Sequence, residues 1–151
     1  MVQQVKIIWS RPCRWDTDKR ELSEPSLANS VGIYQLSRRW NGAEELLYIG
    51  IVWSPTRTMN TRMKEHQKQW LGTLRGIHFY FGQVVPLQAS VDRQLLEAVE
   101  GALIFTISPR ENTKKMQSYS RYDDYVIDNG THRGAIERKF RYVDTTTALH
   151  N

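Results

Sequence analysis

Arg62 and His66 stand four residues apart, a spacing that on a helix brings both side chains to one face about a turn apart. Arginine carries a fixed charge and forked donors, so together with the histidine it could reach one anionic phosphate. Read alone, the pair equally makes a solvated basic face with Arg57, Lys64 and Lys68. Glu97 and Glu100, three residues apart, are the carboxylates able to approach such a site from a second helix. Tyr34 and Tyr48 carry phenols, whose pKa of about 10 makes them weak bases at neutral pH unless the anion is stabilised. Asn112 cannot ionise and acts by holding geometry. Each residue also has a plain structural reading, as hairpin core, surface charge or helix-terminal polar group.

The elements that must position these groups can be read from pattern. Val31 to Leu36 and Glu45 to Ile51 are rich in β-branched and aromatic residues, and Asn41-Gly42 between them suits the positive φ of a type I′ turn, so a β-hairpin is predicted. Ser54-Pro55 reads as an N-cap with proline at the first helical position, and Met59, Met63 and Trp70 continue a helix over about 56–71, up to Gly72. Ile77 to Val85 alternates as a third strand. Ser90 opens a second helix, with Leu95, Leu96, Val99, Leu103 and Ile107 at helical spacing up to Ser108-Pro109. The expected fold class is α+β, with a small three-stranded, mainly antiparallel sheet flanked by helices.

Around that core the chain is expected to form one domain over 1–151. Residues 1–30 form an N-terminal extension, with Val5 to Trp9 as an edge strand and a charged loop from Asp16 to Glu21. Residues 116–151 read as a basic β appendage, with a hairpin turn at Asp128-Asn129-Gly130 and a frayed tail from Thr145 to Asn151.

Gly32-Ile33-Tyr34 and Tyr48-Ile49-Gly50, followed by Arg62, His66, Glu100 and Asn112, resemble the GIY-YIG nuclease superfamily over about residues 31–115. The resemblance implies a β-β-α-β-α core and a divalent-metal-dependent DNA endonuclease whose catalytic set is Tyr34, Tyr48, Arg62, His66, Glu100 and Asn112. It also decides between the glutamates. In the excision-repair branch the metal-binding glutamate leads an apolar turn, a proline and then an asparagine twelve residues on, as Glu100 leads to Pro109 and Asn112 here. Glu97 is then an outer partner of the site or a surface charge. By analogy, Tyr34 orients or deprotonates the attacking water with His66 relaying the proton, and Tyr48 binds phosphate or positions water. Gly32 and Gly50 allow close backbone approach.

A phosphodiester is anionic and its leaving alkoxide poor, so a cation is expected: a single magnesium or manganese ion on Glu100. Asp123, Asp124 and Asp128 read as loop and turn chemistry. The chain departs from the repair branch in longer stretches from Tyr34 to Tyr48 and from Tyr48 to Arg62. It also has Ile51 where many relatives have lysine or serine, a contact Arg57 could replace.

Composition agrees with these expectations without selecting among them. The 151 residues, 40% hydrophobic, suit one core without staples, and 21 basic against 16 acidic side chains, a net charge of +5, favour a polyanionic partner such as DNA. Candidate DNA-binding residues are Arg57, Lys114, Lys115, Arg121, Arg133, Arg138, Lys139 and Arg141, with Trp40, Trp53 or Tyr119 to stack on bases. The lone Cys13 rules out an intramolecular disulfide and a thiolate zinc site, and fits a reducing cytoplasmic setting. No membrane partner is expected, because the apolar stretch from Val5 to Trp9 is far too short to span. A homodimer is expected only if both DNA strands are cut. The alternative is a nucleic-acid-binding module without useful catalysis, acting in a larger complex. A structural or protein-interaction domain with incidental charge is the third reading.

Overall fold

The computed structural model of the chain describes residues 2–16, 18–22, 32–53, 58–72, 74–86, 91–107, 109, 111–112, 124–130, 134, 136 and 139–142. In chain order the elements are β1 (Val2–Trp9), β2 (Cys13–Asp16), β3 (Glu21–Leu22), β4 (Gly32–Trp40), β5 (Ala43–Val52), α1 (Met59–His66), β6 (Ile77–Pro86), α2 (Arg93–Ile107), β7 (Asp124–Asn129) and β8 (Lys139–Tyr142). The architecture is α+β, built on a mixed sheet that is wider than the three strands expected.

Strands β4 and β5 form the hairpin read from sequence, and its two-residue turn has φ of 52° at Asn41 and 79° at Gly42, the positive values of a type I′ turn. β4 also pairs antiparallel with β6. Beyond β6 the sheet continues. β1 pairs antiparallel with Val5–Trp9 against Gly82–Pro86, and Cys13 and Arg14 of β2 continue along the same side of β6. On its far side β1 pairs in parallel with β7, which pairs antiparallel with β8. The Val5–Trp9 stretch is therefore an interior strand and not an edge. Val5, Ile7 and Trp9 point into the core, which is the burial an interior strand requires.

The polar stretch after β2 turns tightly into β3, with the Asp16 carboxylate accepting from the backbone N–H groups of Asp18 (3.0 Å) and Lys19 (2.9 Å). β7 and β8 form the antiparallel pair expected around Asp128-Asn129-Gly130, but Asp128, opposite Lys139, and Asn129 belong to the strand and not to the turn. Asp128 and Asn129 end β7, and the buried Asn129 side chain accepts from the Trp9 indole N–H at 3.0 Å. Both helix starts lie later than expected. The Thr58 hydroxyl caps α1 by accepting from Thr61 N–H at 3.3 Å, and the Asp92 carboxylate caps α2 by accepting from Leu95 N–H at 2.7 Å. Residues 54–57 and 87–90, which include Ser54-Pro55 and Ser90, lie outside the described residues.

Apolar side chains cover both faces of the sheet. On one face Ile7, Trp9, Ile33, Ile49, Tyr80 and Val84 pack with Leu96, Val99 and Leu103 of α2. On the other, Tyr34, Leu36, Leu47, Val52, Phe79 and Ile77 pack with Met59 and Met63 of α1. Past His66, α1 widens into a π-helical turn over Gln67–Leu71, closed by the Gly72 N–H donating to Gln67 C=O at 2.9 Å.

Candidate active site

The site lies on the α1 face of the hairpin, and a β-bulge creates it. A two-residue turn that pairs Trp40 with Ala43 would, in uninterrupted register, put Ile49 opposite Tyr34 and send Tyr48 to the α2 face. Instead the register shifts beyond Leu36, which pairs with Tyr48, while Ser37 pairs with Leu46 and Leu47 is the extra residue. The shift sets Gly50 opposite Tyr34 and turns Tyr48 to the same face as Tyr34. The two phenol rings stack with centroids 6.1 Å apart. Gly50 is needed for this arrangement, because a Cβ there would lie 2.5 Å from the Tyr34 hydroxyl and 2.8 Å from the Tyr48 ring.

From α1, His66 enters beneath the rings, 4.4 Å from the Tyr48 centroid, and its Nε2 lies 2.7 Å from Tyr34 Oη. On the other side of the imidazole, the Trp70 indole N–H donates to His66 Nδ1 at 2.9 Å. Arg62, one turn earlier, pairs through Nη1 with Glu65 Oε2 at 3.0 Å, while its buried Nε has no hydrogen-bond partner. Tyr34 has no exposed surface and His66 is 3% exposed, whereas Tyr48 and Arg62 are half-buried and front the site.

The electrostatics follow from that depth. Burial pushes the Tyr34 phenol well above its ordinary value; Tyr48 and Glu100 add to the rise and Arg62 opposes it. Tyr48 is raised by burial in the same way, again with Arg62 and a hydrogen bond from Tyr34 pulling back. Burial works against the Arg62 charge, but Tyr34, Tyr48 and Glu65 outweigh it and keep the guanidinium firmly protonated.

Glu100, on the helix packed against the opposite face, is partly buried and close enough for its charge to act on both phenols. Glu97 turns outward and pairs with Arg93 at 3.0 Å. Asn112 is buried and does not join the phenols. Its Nδ2 donates to Ile49 C=O and its Oδ1 accepts from Ile49 N–H, both at 2.9 Å. Glu111 N–H donates to Leu47 C=O at 2.8 Å, so the segment after α2 pairs along the outer edge of β5 and fixes the bulge and the Tyr48–Gly50 stretch.

Among the described residues no group of three or more His, Cys, Asp or Glu side chains gathers to hold a metal. Among the described residues the carboxylates beside the site are Glu65, paired with Arg62, and Glu100, whose charge acts on both phenols; Glu100 would suit a hard cation that keeps most of its water and completes its shell on phosphate oxygens.

Of the candidate DNA-binding residues, Arg57, Lys114, Lys115, Arg121, Arg133 and Arg138 lie outside the described residues, as do Tyr119, Asp123 and the tail from Thr145; Lys139 and Arg141 belong to β8. Trp53 is exposed, and Trp40, 58% exposed near the hairpin tip, carries the Arg38 guanidinium 4.8 Å from its ring centroid. No helix among the described residues is long and apolar enough to cross a membrane. Sequence reasoning did not find Trp70, although its place four residues after His66 was a readable signal. The chain matches no protein-family model, no curated protein and no solved structure.

Proposed function

We propose that the protein is a divalent-metal-dependent DNA endonuclease that hydrolyses phosphodiester bonds at a GIY-YIG-type site. The observation that carries this reading is the convergence of Tyr34, Tyr48, Arg62 and His66, from two strands and a helix, with Tyr34 Oη 2.7 Å from His66 Nε2 and the charge of Glu100 acting on both phenols. Arg62 holds the phosphate and offsets charge building on its oxygens in the transition state, once a phosphate oxygen replaces Glu65 as its partner. Tyr48, the phenol nearer solvent, positions the attacking water. Tyr34 and His66 lie behind it and stabilise charge on the phenol oxygens. Glu100 holds a hydrated magnesium or manganese ion, which when bound stabilises the developing alkoxide. DNA is the partner that the net charge favours, with a homodimer required only for cutting both strands.

One observation favours the second reading, a nucleic-acid-binding module with weak or no catalysis. Tyr34 has no surface open to water, and burial holds its phenol protonated. Duplex, branched and single-stranded DNA, incubated with magnesium or manganese beside EDTA and Glu100→Ala controls, separates the two. Cutting that needs metal and is lost in Glu100→Ala supports the nuclease. Salt-sensitive binding without cutting across the panel replaces it with the binding module.

A further inference from the structure

The indole of Trp70 is 2.9 Å from a ring nitrogen of His66, and an indole N–H can only donate. His66 Nδ1 must therefore present a lone pair. In a neutral imidazole one nitrogen carries the hydrogen and the other accepts, so an accepting Nδ1 leaves the hydrogen on Nε2. Nε2 is the atom 2.7 Å from Tyr34 Oη.

We infer that Trp70 is a positioning residue that locks His66 in its Nε2–H tautomer, so that the imidazole donates to the Tyr34 oxygen and does not take a proton from it. This rests on the nuclease reading for its catalytic meaning, although the tautomer itself does not. The relay expected from sequence, in which His66 removes a proton through Tyr34, is then reversed in direction. The donors run from Trp70 to His66 to Tyr34, and Tyr34 keeps its own hydroxyl hydrogen.

The backbone supports this alignment. In a regular α-helix of 3.6 residues per turn, residue i+4 lies about 40° past residue i. From Gln67 the helix widens to a π turn, which reduces that offset and sets the Trp70 ring over His66, with centroids 5.5 Å apart. Trp70 also packs against Tyr48 at 5.9 Å, so the same ring braces both partners.

Long-range proton–nitrogen NMR on protein labelled with nitrogen-15 in histidine reads the tautomer directly, without activity or metal. The expected result is a protonated Nε2 and an unprotonated Nδ1 for His66, assigned by the signal lost in His66→Gln. Trp70→Phe keeps a ring against Tyr48 but removes the donor, and is expected to give a mixture of tautomers and to lower any DNA cleavage by about tenfold or more. A protonated Nδ1 in the wild-type protein overturns the inference. So does an unchanged His66 spectrum in a folded Trp70→Phe. If that variant does not fold, the wild-type spectrum decides alone. An Nε2–H tautomer in a protein that cuts no DNA retires the nuclease reading and leaves the tautomer assignment standing.

Discussion

Tyr34 and Tyr48 share a face of the sheet because β5 carries one more residue than β4 between the Asn41-Gly42 turn and the site. Leu47 is that residue. Without it, the side-chain period of two would turn Tyr48 toward α2 and separate the phenols by the thickness of the sheet. The conformation is held from outside by Glu111 and Asn112, whose bonds to Leu47 and Ile49 satisfy backbone groups that an edge strand would otherwise expose.

Gly50→Ala tests the ring arrangement. The added Cβ meets the Tyr34 hydroxyl and Cζ and the Tyr48 ring, all within 2.8 Å, and neither ring can move freely. A loss of about 1–3 kcal/mol in urea unfolding is expected, and Tyr34→Leu in the same chain should recover part of it. A Gly50→Ala protein as stable as the wild type would show that the phenols do not sit as described.

Asn112→Ala removes the donor and acceptor that close on Ile49, leaving a buried N–H and C=O without their partner. The expected cost is about 2–3 kcal/mol by chemical denaturation. Asn112→Asp should not rescue it, because the new oxygen faces the Ile49 carbonyl.

Alkaline stability reports on Tyr34. Its phenol titrates higher in the folded protein than at the unfolded value of about 10. Above that pH the unfolded chain has released a proton that the native protein still holds. Stability is therefore level below about pH 10 and falls as pH rises beyond it, by at most about 1.4 kcal/mol per pH unit for this proton. Tyr34→Phe should flatten that decline in denaturation measured from about pH 8 to 11, while Tyr48 and Tyr80, also raised chiefly by burial, keep part of it.

Arg62 and Glu65 form an ion pair that, on the proposed nuclease reading, a phosphate would have to displace. Arg62→Ala is expected to lower cleavage about 100-fold or more, and Arg62→Lys to recover little, since an ammonium lacks the fork that engages two phosphate oxygens. Glu65→Gln should tighten DNA binding at low salt by freeing the guanidinium, a change that fluorescence anisotropy would resolve. Weaker binding by Glu65→Gln would mean that the ion pair holds Arg62 in its productive pose.

Local sequence chemistry was enough for the hairpin, the two helices and β6, because Asn41-Gly42 turns the chain by its own φ preference and the apolar spacings repeat within each element. Tyr34, Tyr48, Arg62 and His66 were singled out by the GIY-YIG resemblance, since each residue alone read equally as core or surface. What tertiary structure alone decided is how those pieces meet. The bulge hides in the unbroken apolar run Leu46-Leu47-Tyr48-Ile49, where alternation has no phase until β4 and Asn112 fix the register. β1 becomes an interior strand only when β7, more than a hundred residues away in sequence, lies parallel beside it. Asn129 looked like a turn residue until the Trp9 indole, supplied by β1, gave it a reason to be buried. Trp70 read as an apolar helix position, and its role depends on a widened turn that carries no sequence period of its own. Propensity and periodicity act over a few neighbouring residues, whereas register, burial and hydrogen-bond direction are set by partners that only folding brings within reach.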